Sequence, residues 1–205
     1  MHAPLRYWFA IGSLWLRGVA LAWLVSGCAG TVKVAPAYPA PVVAADPEKI
    51  GVFYSPAFRT WKYHNEDSGV DFELGSKQLA LFDAVFQRMF PNAVSLKKIR
   101  SEASPLAWQI KPVTTEYAFL APKDTDTDFY AISIKYRLEI YSSTGEHVAD
   151  WPLVAYGRSR GKFLYWKESL GEATTYALRD AAAALVSGFG DFVAGRKWQS
   201  GAGSK

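Results

Sequence analysis

Cysteine is nearly absent from this chain: Cys28 is the only one in 205 residues. An intramolecular disulfide, a cysteine-rich zinc site and a cysteine redox pair are therefore excluded. Histidine is scarce as well, three in all. Excess charge is small: 23 Lys and Arg against 19 Asp and Glu give a formal net charge of +4. Such a balance lacks the basic footprint that a phosphate backbone demands, so no nucleic-acid partner is expected. No apolar run reaches the roughly 20 residues needed to span a bilayer. The stretch 7–16 is cut by Arg17, and the run 19–25 is short. There is no internal repeat. What the chain does have is apolar and aromatic mass, 50% and 15% of its residues, the composition of an ordinary globular domain.

The first 27 residues carry Arg6 and Arg17, no acidic residue, and the apolar run 19–25 followed by small residues. That is the layout of a secretory signal peptide. Once it is removed, about 180 residues remain, enough to bury roughly 70% of the unfolded surface without help from a metal.

Val25-Ser26-Gly27-Cys28 places the lone cysteine directly after an aliphatic residue and two small ones. This resembles the lipobox of bacterial lipoproteins. The resemblance implies cleavage between Gly27 and Cys28, a diacylglycerol on the Cys28 thiol and an acyl chain on the new amine. Two or more chains anchor durably where one binds only marginally, at about 0.8 kcal/mol per buried methylene. Ala29 stands where, by the enterobacterial sorting rule, an aspartate retains a lipoprotein in the inner membrane. The resemblance thus implies the periplasmic face of the outer membrane. Residues 28–47 hold Pro36, Pro39, Pro41 and Pro47 and little charge. They predict an extended tether that reaches roughly 60 Å at about 3.1 Å per residue.

A single α+β domain is expected over 48–194, with a flexible polar tail at 195–205. Residues 49–54 read as a first strand stopped by Ser55-Pro56, and 59–71 as a loop or short hairpin around Asp67-Ser68-Gly69. Leu79, Phe82, Val85, Phe86, Met89 and Phe90 recur at helical spacing, with Ser76 as N-cap and Pro91 as the stop. Strands follow at 92–99 and 108–119, where Pro112 suggests an edge or a bulge. In 130–141, apolar Tyr130, Ile132, Ile134, Tyr136, Leu138 and Ile140 alternate with smaller or charged residues. That is a half-buried antiparallel strand. A turn at 142–146 leads to its partner at 148–156.

A second helix is expected over 170–192, with Ser169 and Glu172 as a capping box. Its Ala173, Ala177, Ala181, Ala184 and Gly188 form a stripe suited to close approach, first to the sheet and otherwise to another subunit. The sum is an antiparallel or mixed sheet of four to five strands with two helices on one face. This element order is similar to the small envelope lipoproteins of lipopolysaccharide assembly, of ABC-transport auxiliary systems and of exopolysaccharide secretion.

Motifs for catalysis are weak. Asp124-x-Asp126-x-Asp128 begins like an EF-hand, but Phe129 replaces the turn glycine and Lys135 the bidentate glutamate. Gly157 to Lys162 lacks the spacing and hydroxyl of a phosphate loop. Ser95-x-x-Lys98 and Ser159-x-x-Lys162 fit a loose pattern without its partner motifs. His64 and His147 lie outside any nucleophile elbow. No catalytic residue, metal or cofactor is assigned beyond the lipid on Cys28.

Arg158, Arg160, Lys162, Tyr165 and Trp166 interleave cations with amphipathic rings, as a site for phosphate, glycan or a protein partner would. Arg59, Trp61, Lys62 and Tyr63 make a second such cluster. The expectation is a membrane-anchored, non-enzymatic envelope accessory that docks on a protein partner or on itself. Direct binding of lipid, lipopolysaccharide phosphate or glycan through 158–167 is the alternative. Cys28→Ser should leave an uncleaved precursor that takes up no labelled palmitate, read by gel mobility and radiolabel.

Overall fold

Strand β7, Phe129–Tyr141, is the axis of the larger sheet. Its Ile132, Ile134, Tyr136, Leu138 and Ile140 are buried, as the alternation predicts. The computed structural model describes residues 30–34, 44–66, 68–102, 104–192 and 195. Cys28, the lipobox and the expected tail, apart from residue 195, lie outside these.

Strand β8, His147–Arg160, returns antiparallel to β7 through a turn in which Gly145 takes φ 83°. On the other side of β7 lies β6, Gln109–Leu120, also antiparallel. Two short strands, β2 (Gly51–Val52) and β5 (Val94–Ser95), extend the sheet in parallel, in the order β5-β2-β6-β7-β8. Pro112 sits inside β6, yet its missing N–H costs no ladder bond. The Ile110 carbonyl accepts from Phe53 on the β2 side, and Pro112 faces that same side just where β2 has ended. A register shift follows between Thr114 and Glu116. A second, three-stranded sheet runs β1-β4-β3, from β1 (Gly30–Val32), β3 (Lys62–Asn65) and β4 (Val70–Glu73). Gly69 has φ 61° in the hairpin joining the last two.

The short helix α1, Pro56–Arg59, starts where the first strand was expected to stop, because the Ser55 hydroxyl accepts from the Phe58 N–H. Helix α2, Gly75–Met89, buries Phe82, Val85, Phe86 and Met89 as its spacing predicts, while Leu79 is only half-buried and Leu81, which the spacing did not include, is buried. Ser76 does not cap it. The Trp61 carbonyl instead accepts from the N–H groups of Leu74 and Gly75, and a Cβ at Gly75 would stand 2.2 Å from the Arg59 oxygen.

Helix α3, Trp166–Ala184, passes into a π-helical turn at Leu185–Phe189. It begins before the expected Ser169–Glu172 capping box: Ser169 lies inside it, where its hydroxyl accepts from the Lys162 N–H. Ala173, Ala177 and Ala181 are fully buried. A Cβ at Gly157 of β8 would meet the Ala173 oxygen at 2.1 Å and the Ala177 nitrogen at 2.3 Å. The small-residue stripe is thus spent on the protein's own sheet and is closed to another subunit. Burying each large side chain of this core contributes about 1.5–3 kcal/mol.

The segment expected to open the tether is instead docked. Gly30–Val32 forms β1, Val32 and Val34 are buried, and the Lys33 carbonyl fills the space left by Gly171, where a Cβ would be 2.1 Å away. The far end is held too: the Asp46 N–H donates to the Met89 carbonyl and the Asn92 amide to the Pro47 carbonyl. The proline-rich residues therefore join two anchored points, and the folded unit starts before residue 48. The signal was the alternation Thr31-Val32-Lys33-Val34, exposed and buried by turns, overshadowed by the prolines that follow.

Gly157→Ala should destabilise the fold by about 2–3 kcal/mol, since a methyl group must push helix and strand apart. Urea unfolding followed by far-UV circular dichroism measures it.

Candidate binding cleft

Strand β8 runs four residues past its expected end at 156, because Gly157 serves close packing rather than a turn. Arg158 and Arg160 are consequently strand residues, paired with Ala131 and Phe129. The Arg158 guanidinium stands 5.3 Å from the Phe129 ring centroid. Arg160 approaches the Asp128 carboxylate at 3.7 Å with both side chains more than three-quarters exposed, a contact worth little in water. The Gly161 N–H then donates to the Asp128 carbonyl and turns the chain. Lys162 leads into a 3-10 turn, Phe163–Tyr165, that opens directly into Trp166 of α3. Leu164 and Tyr165 protrude, and the Lys167 ammonium lies 5.3 Å from the Trp166 ring.

Lys162 and Trp166 share a cleft of about 790 Å³ with Phe119, Lys123, Asp124, Asp128 and Tyr130, and with Asn65 and Ser68 from the β3–β4 hairpin. Of the five residues singled out in the sequence, these two line the cleft. Arg160 stands at its rim through Asp128, while Arg158 and Tyr165 are not part of the lining. Tyr130, Lys123, Asn65 and Ser68 were not foreseen, because separate elements bring them in. The only hint was Tyr130 at the start of the alternating strand.

A network ties α3, which supplies Trp166 and Leu170 to the cleft, to the sheet. The Ser159 hydroxyl donates to Glu172, and the Tyr176 hydroxyl donates to the same carboxylate at 3.1 Å. The bond from Ser159, helped by Tyr176 and the charge of Lys162 against a smaller burial penalty, holds the Glu172 carboxyl below its ordinary range. Thr174 donates to the Leu170 carbonyl and so accepts from Tyr117 at 2.9 Å. Burial, opposed by that bond, raises the Tyr117 phenol. Tyr130 is raised by burial as well.

The remaining motifs have structural employment. Asp124 accepts from the Ala121 N–H and caps its own turn. Among the described residues no group of three or more His, Cys, Asp or Glu is placed to hold a metal. His64 meets Asp71 and His147 meets Asp150, each at 2.8 Å on exposed strands. In the second cluster, Trp61 and Tyr63 pack on the Tyr117 ring, Lys62 pairs with Glu73, and the Arg59 Nε donates to the Tyr54 carbonyl. A second cavity, about 10 Å³ and walled by Ile50, Phe90, Ile110 and Phe189 among others, is wholly apolar and no larger than a packing gap. No helix among the described residues is long and apolar enough to cross a membrane.

No family model and no curated protein matches the chain. Among solved structures it is similar to a Xanthomonas campestris protein of the family DUF330, at 12% identity and a TM-score of 0.48, over 82% of this chain and 94% of that one. It is similar also to a minor lipoprotein from Acinetobacter baumannii, at 9% identity and a TM-score of 0.40, over 70% and 90%. A hypothetical protein from Chlamydia trachomatis is similar at 12% identity and a TM-score of 0.39, over 68% and 96%.

Because Glu172 titrates below its ordinary value when folded, its contribution to stability is present above the usual carboxylate pKa. It is lost as pH falls through the lowered one. Ser159→Ala removes the largest cause, so the Glu172 pKa should rise towards normal and this acid-side loss should shrink. Carboxyl-carbon NMR titration and acid unfolding of the two proteins test it.

Proposed function

We propose that this protein is a lipid-anchored, non-enzymatic accessory of the bacterial envelope, held by Cys28 on the periplasmic face of the outer membrane. Val25-Ser26-Gly27-Cys28 supports the anchor, with Ala29 supporting the choice of membrane. The cleft beside Trp166 is the observation that carries the binding role. It joins two lysines, Lys123 and Lys162, to the aromatic Tyr130 and Trp166, with the amide of Asn65, the hydroxyl of Ser68 and the carboxylates of Asp124 and Asp128 in the same lining. Cations meet phosphate, aromatic faces stack on sugar rings or cover acyl stems, and the polar rim orients both.

Two other docking surfaces are less suited. The alanine stripe of α3 is buried against β8. The edge of β8 is blunted, since Pro152 brings no N–H and the Tyr156 N–H is taken by Asp180 at 2.8 Å. The cleft therefore favours a second reading within the same role: direct binding of a phosphorylated lipid or glycan, with no protein between.

Lys162→Ala and Trp166→Ala should each weaken binding of a phosphorylated glycolipid about tenfold, the loss of one charge-assisted or stacking contact. Arg158→Ala should change it less than twofold. Calorimetric titration of the purified protein, with circular dichroism as the folding control, measures all three. Binding unaltered by Lys162→Ala and Trp166→Ala removes the cleft from the proposal, and turnover of peptidoglycan, lipid or ester by the pure protein overturns the accessory role. In-cell crosslinking with mass spectrometry separates a protein partner, or self-association, from a free ligand.

A further inference from the structure

The docked segment Thr31–Val34 limits how far the body can stand from its anchor. Val32 and Val34 are buried, and the Lys33 carbonyl is seated against Gly171. Only three peptide steps separate Cys28 from Thr31, at most about 11 Å of fully extended chain. If acyl chains on Cys28 enter the hydrocarbon, the headgroup layer alone, about 5–7 Å per leaflet, uses much of that length. The folded unit then rests on the headgroups.

The seat of Lys33 also says which surface is near. Gly171 is in the second turn of α3, and Leu164 and Tyr165 precede it by seven and six residues, about 10 Å of rise. Leu164 is 78% exposed and Tyr165 57%, the most exposed large apolar pair adjacent in the chain among the described residues. Lys162 is exposed two residues before Leu164, Lys33 is exposed next to its seat at Gly171, and Lys167 lies over the Trp166 ring. Glu168 is the exposed acid on this turn, while the Glu172 carboxylate is engaged by Ser159 and Tyr176. A leucine and aromatic rings set among lysines have the chemistry of a contact with an anionic lipid interface: the rings and stems enter the headgroup layer and the ammonium groups meet phosphate. The opposite end is different. Thirteen residues of β7, roughly 40 Å, separate this region from the turn at 142–146, where no adjacent pair of exposed large apolar residues stands among the described residues and Lys111 and Arg137 pair with Glu139 and Asp150 near the exposed Arg100.

We infer that the 3-10 turn and first turn of α3, led by Leu164 and Tyr165 and flanked by Lys33, Lys162 and Lys167, lie against the anionic lipid surface in which Cys28 is anchored. The inference rests on the acylation of Cys28 proposed above. It makes the chain a membrane-apposed body rather than one on a long stalk, and brings Lys162 and Trp166 of the cleft to headgroup level.

The test uses the full-length acylated protein in vesicles of phosphatidylethanolamine and phosphatidylglycerol. Leu164→Cys, and separately Tyr165→Cys and Ser143→Cys, introduce one free thiol each for a nitrobenzoxadiazole label; mass spectrometry of the same samples reports acylation of Cys28. Spin-labelled headgroups should quench the label at 164 and 165 at least threefold more than at 143. Equal quenching at the three positions on acylated protein overturns the apposition while leaving the anchor intact, and gives Leu164 and Tyr165 to a protein partner. Unacylated Cys28 overturns both readings at once.

Discussion

Helix α3 lies so near strand β8 that a single methyl group at Gly157 would stand 2.1 Å from the Ala173 oxygen. Much of the structure follows from that approach. It demands glycine on the strand and alanine on the helix, and it brings Ser159 within reach of Glu172 and Tyr117 within reach of Thr174. On its other side the same helix accepts the Lys33 carbonyl at Gly171. Trp166 and Leu170, at the start of this clamped rod, then have one place to be, which is the wall of the cleft. Close packing of this kind tolerates little change in volume, so the cleft inherits the rigidity of the core.

Polar groups inside this core act as clips between segments distant in sequence. The Gln78 amide donates to the Phe58 carbonyl, and its oxygen accepts from Thr114, joining α1, α2 and β6. The Gln109 amide oxygen accepts from the Arg100 N–H while its nitrogen donates to the carbonyls of Arg100 and Ser142. A buried amide satisfied on every side is worth more for register than for raw stability, because any slip strands its donors without partners. The ring cluster of Tyr63, Phe72, Tyr117 and Phe119 does the equivalent in apolar form, tying the smaller sheet to the larger.

An anchor only three residues from the docked Thr31 and a cleft built on Lys162 and Trp166 belong to one arrangement in the proposed reading. A short leash reduces the volume the cleft can search, and raises the effective concentration of anything presented at the same surface. The proline-rich residues, whose composition suggests a stalk, lie in sequence between the buried Val34 and the anchored Asp46, on the far side of Thr31 from Cys28, and so add nothing to that leash.

Local periodicity determined the long elements: the two-residue alternation of β7 and the helical recurrence from Leu79 to Phe90 were legible because each element buries one continuous face. The lipobox reading rests on four contiguous residues, Val25-Ser26-Gly27-Cys28, and on sequence alone, because these lie outside the described residues. Tertiary structure alone decided the rest. Ser76 and Ser169 had the chemistry of caps, but a neighbouring carbonyl and an earlier helix start displaced them. Gly157 had the look of a loop, and only the arrival of α3 shows why β8 continues through it. The cleft draws on Asn65, on Lys123 and Tyr130, and on Lys162 and Trp166, from three separate stretches of chain. Their meeting is set by long-range packing, which no local pattern encodes.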